Sequence, residues 1–305
     1  MLRIFYYPLY AVIWLISLLP LSLLYILSDI MYLLVFYVVR YRRKVVQTNL
    51  KNSLPEKSEK ELQKIERRFY LHFCDIFIET IKILTISEKE LKKRMKFINP
   101  EELNQRLENG ENVILMFGHY CNWEYMLAVR LFIADKSFVA AGVYRRLKNK
   151  YLDSFYLKLR SRFNLVCVEK NDIFREIIKY RKAGVNFSLG LNSDQTPSKR
   201  NIHYWTTFMH QDTPVLMGAE RIARQTGYVV YYVDMQKVKR GFVEAELILL
   251  SDDVKNTPEF EVTEKYMRLM EKTILRDPAY WLWSHKRWKH KRENNEELFS
   301  SKLQQ

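Results

Sequence analysis

Asn112-Val-Ile-Leu-Met-Phe-Gly-His119-Tyr-Cys-Asn-Trp-Glu124 is the stretch whose reading decides the fold. Residues 113–117 are all apolar, the pattern of a strand covered on both faces as in a parallel sheet. Gly118 breaks the run, and Tyr125, Met126, Val129 and Phe132 then recur at helical spacing, so a helix is predicted to follow. His119 stands where strand gives way to helix, at the edge where open α/β sheets bind their ligands. Glu124, about one helical turn on, is predicted to hold one imidazole nitrogen and leave the other free to take a proton from a hydroxyl or thiol. The structural alternatives are a capping histidine and a glutamate that complements the helix dipole.

Toward the amino terminus, residues 4–28 carry no charge and residues 30–39 form a second apolar run after Asp29. Such a length can cross a hydrocarbon core. Pro8 and Pro20 leave open one full span or a re-entrant hairpin. Arg40, Arg42, Arg43 and Lys44 on one side, against Arg3 on the other, predict that everything after residue 40 is cytoplasmic. Residues 45–95 read as helical, with Ser58-Glu-Lys-Glu61 as a capping box and Phe69, Phe73, Phe77 and Ile81 as a packing stripe.

Toward the carboxyl terminus, strands are predicted over 137–143, 165–168 and 185–191, with helices between them. The first of these strands ends in the basic loop Tyr144-Arg145-Arg146-Leu147-Lys148-Asn149-Lys150. The helix after it carries Phe155, Leu159, Arg160 and Arg162. The third ends in Asn192-Ser-Asp194-Gln195, on the same rim of a parallel sheet as His119 and Arg145. Asp212-Thr-Pro214 is predicted to open a helix through Leu216, Ala219 and Ile222. Strands over 228–235 and 242–250, a helix over 260–275, and the aromatic and cationic run 277–289 complete the body.

This alternation predicts an α/β fold, a mainly parallel sheet flanked by helices, behind an amino-terminal membrane-anchoring segment. The chain divides into an anchor with a basic patch (1–44), a helical segment packed on the core (45–100), the α/β core (101–292) and a polar tail (293–305). A net charge of +15 over 305 residues implies an anionic partner. Cys74, Cys121 and Cys167 form no disulfide framework, and no CxxC or HExxH spacing points to a metal. A membrane-tethered nucleic-acid-binding protein is the reading from another class, but no recognisable nucleic-acid module is present.

Gly118-His119-Tyr-Cys-Asn122-Trp123-Glu124 resembles the HX4(D/E) motif of the lipid A late acyltransferases, the lauroyl and myristoyl acyltransferases. Tyr144-Arg145 with Asn149, Ser193-Asp194-Gln195, and Tyr280-Trp-Leu-Trp-Ser-His285-Lys-Arg287-Trp288-Lys are similar to further blocks of that family, in the same order. The resemblance implies a glycerolipid-acyltransferase-like fold at the inner membrane. It implies transfer of a fatty acyl group from acyl carrier protein, or coenzyme A, to a hydroxyl of a glycolipid precursor. His119 would be the general base, Glu124 its orienting carboxylate and Arg160 a donor to the oxyanion. Arg145 would hold acceptor phosphate, with Asn149, Asp194, Gln195, His285 and Arg287 completing substrate binding and support. No metal, cofactor or nucleic acid is implied, and a lyso-aminolipid or another phospholipid is the alternative acceptor. Cys121 stands where members commonly have Gly, and a cysteine near a helix start can also be read as a nucleophile.

Overall fold

Two apolar helices open the chain in the computed structural model, which describes residues 2–135 and 137–292. The predicted polar tail, 293–305, lies outside them. α1 (Leu2–Leu18) and α2 (Leu21–Leu33) are separated at Pro20, whose ring nitrogen cannot donate to continue the first helix. The uncharged run 4–28 is thus two helices. α2 continues through a π-helical turn, Leu34–Val39, and Leu21–Val39 is long and apolar enough to cross a bilayer. α3 (Arg43–Ser53) and α4 (Glu59–Lys82) follow, and Ser58 with Glu61 forms the expected capping box. Leu24 and Ser28 of α2 are buried, whereas Leu23, Ile26, Ile30 and Leu33 are about half exposed. The α4 stripe is only partly a packing face: Phe69 is buried but Phe77 is largely exposed.

The body then runs α5 (Glu88–Arg94), β1 (Met95–Phe97), α6 (Pro100–Glu108) and β2 (Val113–Phe117). A 3-10 helix over Trp123–Ala128 leads into α7 (Val129–Phe132). Next come β3 (Val139–Tyr144), α8 (Lys150–Arg160), β4 (Val166–Glu169), α9 (Ile173–Lys182) and β5 (Phe187–Asn192). The chain closes with β6 (Trp205–Phe208), β7 (Gln211–Pro214), α10 (Gly218–Thr226), β8 (Val229–Lys239), β9 (Phe242–Ser251) and α11 (Glu261–Arg276).

Among the described residues, seven strands form one sheet in the order β1-β9-β8-β2-β5-β3-β4. All pairings are parallel except the β8–β9 hairpin. β2 is central and buried along its whole length, as its unbroken apolar run requires. Phe117 on β2 pairs with Asn192 on β5. The residues two positions beyond each, His119 and Asp194, therefore leave the sheet side by side.

Two predicted elements differ. The helix expected at Asp212-Thr-Pro214 is β7, paired antiparallel with β6, and α10 starts at Gly218. Met209 and His210 make that hairpin turn in left-handed conformations, φ 50° and 61°. Such turns usually declare themselves by Asn or Gly, and neither residue does. The helix expected directly after Gly118 starts at Trp123, as a 3-10 helix in which the Glu124 N–H is capped by the Asn122 side chain.

Candidate active site

The imidazole of His119 is held by Asp194. His119 Nδ1 lies 2.7 Å from Asp194 Oδ1, and the His119 backbone N–H donates to Oδ2 at 2.8 Å. Trp281 Nε1 donates to the same Oδ2 at 2.8 Å. Asp194 is 2% exposed. Burial by itself would push its carboxyl up, but the adjacent imidazole and these hydrogen bonds outweigh burial and hold it down at about 2. An ionised carboxylate only accepts, so Nδ1 carries a proton, and in the neutral ring Nε2 is the nitrogen with the lone pair. Gln195 Nε2 lies 3.1 Å from His119 Nε2 and donates to it. The side chain of His119 is partly open to solvent, and Trp123 stands edge-on to its ring at 5.0 Å.

Gly118 is closely approached from two sides. A Cβ there would sit 2.5 Å from Met270 Sδ on α11 and 3.3 Å from Asp194 Oδ2. A side chain there would have to displace the end of Met270 and would crowd the Asp194 carboxylate.

Glu124, expected to orient the imidazole, is instead paired with Arg160 at the end of α8. Arg160 Nε and Nη2 donate to its two oxygens at 2.9 and 2.5 Å. The 3-10 geometry after Asn122 turns the carboxylate toward α8, and the parallel neighbour β5 supplies the partner for His119. Of the five guanidinium N–H groups of Arg160, three remain beyond those two bonds.

The other expected site residues divide. His285 faces the cleft and accepts the Thr196 N–H on Nε2 at 3.2 Å; burial holds its imidazole down at about 4, so it is neutral. Arg287 does not face a substrate. It is 0% exposed, donates to the Pro214 carbonyl at 2.8 Å, and burial pulls its guanidinium down to about 10. Arg145 and Asn149 lie exposed between β3 and α8, and Asn149 Oδ1 caps α8 by accepting from Tyr151 and Leu152. Trp281, quoted in the sequence only as part of a block, proves to be the third donor to Asp194. A buried indole N–H needs an acceptor, and that need was the available signal.

Two hollows meet at Trp123 and Glu124. One is a cavity of about 100 Å³, lined by Leu103, Leu115, Phe117, Ile133, Gly142 and Gly190 among others, and it reaches Arg160 and Asn192. Gly142 on β3 and Gly190 on β5 are register partners, so two adjoining strands leave their surface bare there. The other is a cleft of about 260 Å³ bounded by Tyr41, Phe73, Phe77, Tyr156, Leu282 and His285. A groove beside α3 carries Lys44, Lys286, Lys289, Lys291 and Arg292.

Cys121 is buried beneath this site, and burial pushes its thiol up, away from the reactive thiolate. Its φ of 51° lies in the left-handed region, where a side chain costs about 1–2 kcal/mol. Cys121→Gly is therefore expected to melt within a few degrees of the parent, strain relief offsetting lost burial, and to keep activity within about tenfold unless the turn shifts His119. Thermal unfolding and intact-mass analysis during turnover check this. An acyl adduct on Cys121 that forms and decays at the turnover rate would overturn the bystander reading.

A family model described as bacterial lipid A biosynthesis acyltransferase matches residues 1–290. The chain is 24% identical over 287 residues to the lipid A biosynthesis lauroyltransferase of Escherichia coli (strain K12), covering 93% of this chain and 90% of that protein. It is 25% identical over 122 residues to a lipid A biosynthesis acyltransferase of Haemophilus influenzae, covering 40% of this chain and 37% of that protein.

Proposed function

The chain belongs to the bacterial lipid A biosynthesis acyltransferase family and is an acyltransferase; from that premise we propose that it moves a fatty acyl group from an acyl carrier protein or coenzyme A thioester to a hydroxyl of a lipid A precursor. The observation that carries this reading is the His119–Asp194 pair, whose imidazole stands 5.0 Å from the ring of Trp123, a residue that lines both the apolar cavity and the open cleft.

In the proposed step the acceptor hydroxyl replaces Gln195 at His119 Nε2. Nε2 takes its proton while the oxygen attacks the thioester carbonyl. Asp194 stabilises the imidazolium that results. The tetrahedral oxyanion takes a hydrogen bond from an N–H of Arg160, which Glu124 holds at the cavity mouth. Collapse breaks the carbon–sulfur bond, and the imidazolium proton goes to the departing thiolate. The products are an ester and a free thiol, and we propose no metal or redox cofactor for the step. The acyl chain of the donor lies in the apolar cavity. The acceptor enters by the cleft, with its phosphates toward the cationic groove beside α3.

The test is ester formation by the purified protein from an acyl thioester and a lipid A precursor, read by mass spectrometry. Thioester hydrolysis with no ester formed would replace this reading with a thioesterase.

We further propose that α1 and α2 attach the enzyme to the inner membrane, with the body on the cytoplasmic side. Support comes from the half-exposed apolar faces of both helices and from Arg40, Arg42 and Lys44 just beyond them. A cysteine introduced at the exposed Lys182 is expected to react with an impermeant maleimide only after the inner membrane is opened. Labelling in cells with only the outer membrane permeabilised would reverse the orientation.

A further inference from the structure

A buried line of hydrogen bonds joins α2 to the loop that carries His119. Glu79 on α4 is 2% exposed and accepts from both sides: Tyr25 Oη donates to Oε1 at 2.8 Å, and Asn122 Nδ2 donates to Oε2 at 2.7 Å. Asn122, 1% exposed, uses its Oδ1 to accept the backbone N–H of Glu124 at 3.1 Å. The line therefore runs from an apolar helix, through α4, into the turn where Trp123 flanks the imidazole and Glu124 grips Arg160.

Its outer end is seated as firmly as its inner end. The Arg240 guanidinium stands 4.4 Å from the centre of the Tyr25 ring. A Cβ at Gly241 would collide with Tyr25 Oη, so the β8–β9 turn leaves a socket that only glycine allows. Beside it Ser28 donates to Asp75 at 2.7 Å, and Arg240 bridges Asp75 and Asp29 at 2.6 Å each. An apolar helix needs none of this to stay packed on α4. Burying a carboxylate is costly unless its acceptors are filled, and an apolar side chain would pack there without that cost.

We infer that Glu79 is a positioning residue for the transfer reaction: through Asn122 it fixes the loop that presents His119 and Glu124, and through Tyr25 it ties that loop to the seating of α2. The kinetic arm of the test rests on the acyl-transfer reading; the exchange arm does not.

The experiment uses the full chain in detergent micelles. Glu79→Gln leaves one oxygen for two donors, Tyr25 Oη and Asn122 Nδ2, and Asn122→Asp sets two carboxylates together. The double variant Glu79→Gln/Asn122→Asp again opposes amide and carboxylate. Its new amide keeps an oxygen for Tyr25, and its new carboxylate keeps an oxygen for the Glu124 N–H. Each single variant is expected to speed hydrogen–deuterium exchange in peptide 118–128 about tenfold, the loss of roughly one buried hydrogen bond. Each is expected to lower kcat about 10- to 100-fold, with KM for donor and acceptor little changed. The double variant should restore both readouts to within about threefold of the parent, a rescue that plain core packing would not give. Tyr25→Phe, which removes only the outer donor, should loosen the same peptide and not α2 alone; it carries the test should Glu79→Gln fail to fold. Single variants that keep exchange and kcat within twofold overturn the inference, as does a double variant that restores neither. If the exchange pattern follows expectation while the parent forms no ester, the positioning role stands and the acyl-transfer reading falls.

Discussion

Asp194→Asn is expected to lower kcat on the order of 1,000- to 10,000-fold in a protein that still folds, about as far as His119→Ala. Asp194 Oδ2 serves two donors, the His119 backbone N–H and Trp281 Nε1. In asparagine the single oxygen best serves that same pair, which leaves the amide NH2 facing His119 Nδ1. Nδ1 must then accept, so the ring proton moves to Nε2 and the lone pair needed by the acceptor hydroxyl is gone. The wrong tautomer would be visible in the imidazole 15N shifts, with KM for the donor unchanged. Glu124→Gln separates the two carboxylates. It is expected to slow transfer by loosening Arg160 while leaving the His119 tautomer intact. An Asp194→Asn enzyme with kcat within threefold of the parent would show that Asp194 is not the orienting group. Because the Asp194 carboxyl is held at about 2, nothing in the neutral range discharges it. Its contribution to stability is present above its unfolded value near 3.9 and is lost only as pH falls through about 2.

Filling the bare strip between β3 and β5 is expected to change which donor is used. A Cβ at Gly142 would meet Leu165 Cδ2 at 3.2 Å, and one at Gly190 would meet Phe117 Cε1 at 3.3 Å. Valine at either position must therefore project into the cavity. Each methylene of donor chain thereby excluded forfeits about 0.8 kcal/mol, close to fourfold in kcat/KM, so three excluded carbons amount to roughly 60-fold. Competition between acyl thioesters of graded length should show the ratio swinging toward the shorter donors. A loss of activity equal at all lengths would place the acyl chain elsewhere.

The sheet was legible because its strands are buried on both faces: Val113 to Phe117 can scarcely be anything but a strand between layers. The rim was legible for the same reason, and it brought Asp194 and Gln195 to His119 as expected. What the sequence could not rank was which carboxylate the histidine would use. Glu124 is near in the chain, and local spacing favours near partners. Asp194 lies 75 residues away, and only the Phe117–Asn192 register brings it to contact. Arg287 misled by its setting, a cation among aromatics that suits a ligand face but here fills the interior. Asn149 is a helix cap that reads like a binding residue. The Met209–His210 turn and the acceptors of Glu79 left no mark in composition or period, because each depends on what packs against it.

The Phe117–Asn192 pairing also has a consequence for how the protein is made. Parallel neighbours cannot be joined by a tight turn, and the loop closed between β2 and β5 must lose its freedom before the ladder repays it. Contacts of that range are slow to form, and the dyad is assembled by one of them. A nascent or half-folded chain thus carries its histidine without the carboxylate that holds its ring. On the proposed mechanism such a chain would be silent toward thioesters, and the onset of turnover would report closure of the central ladder.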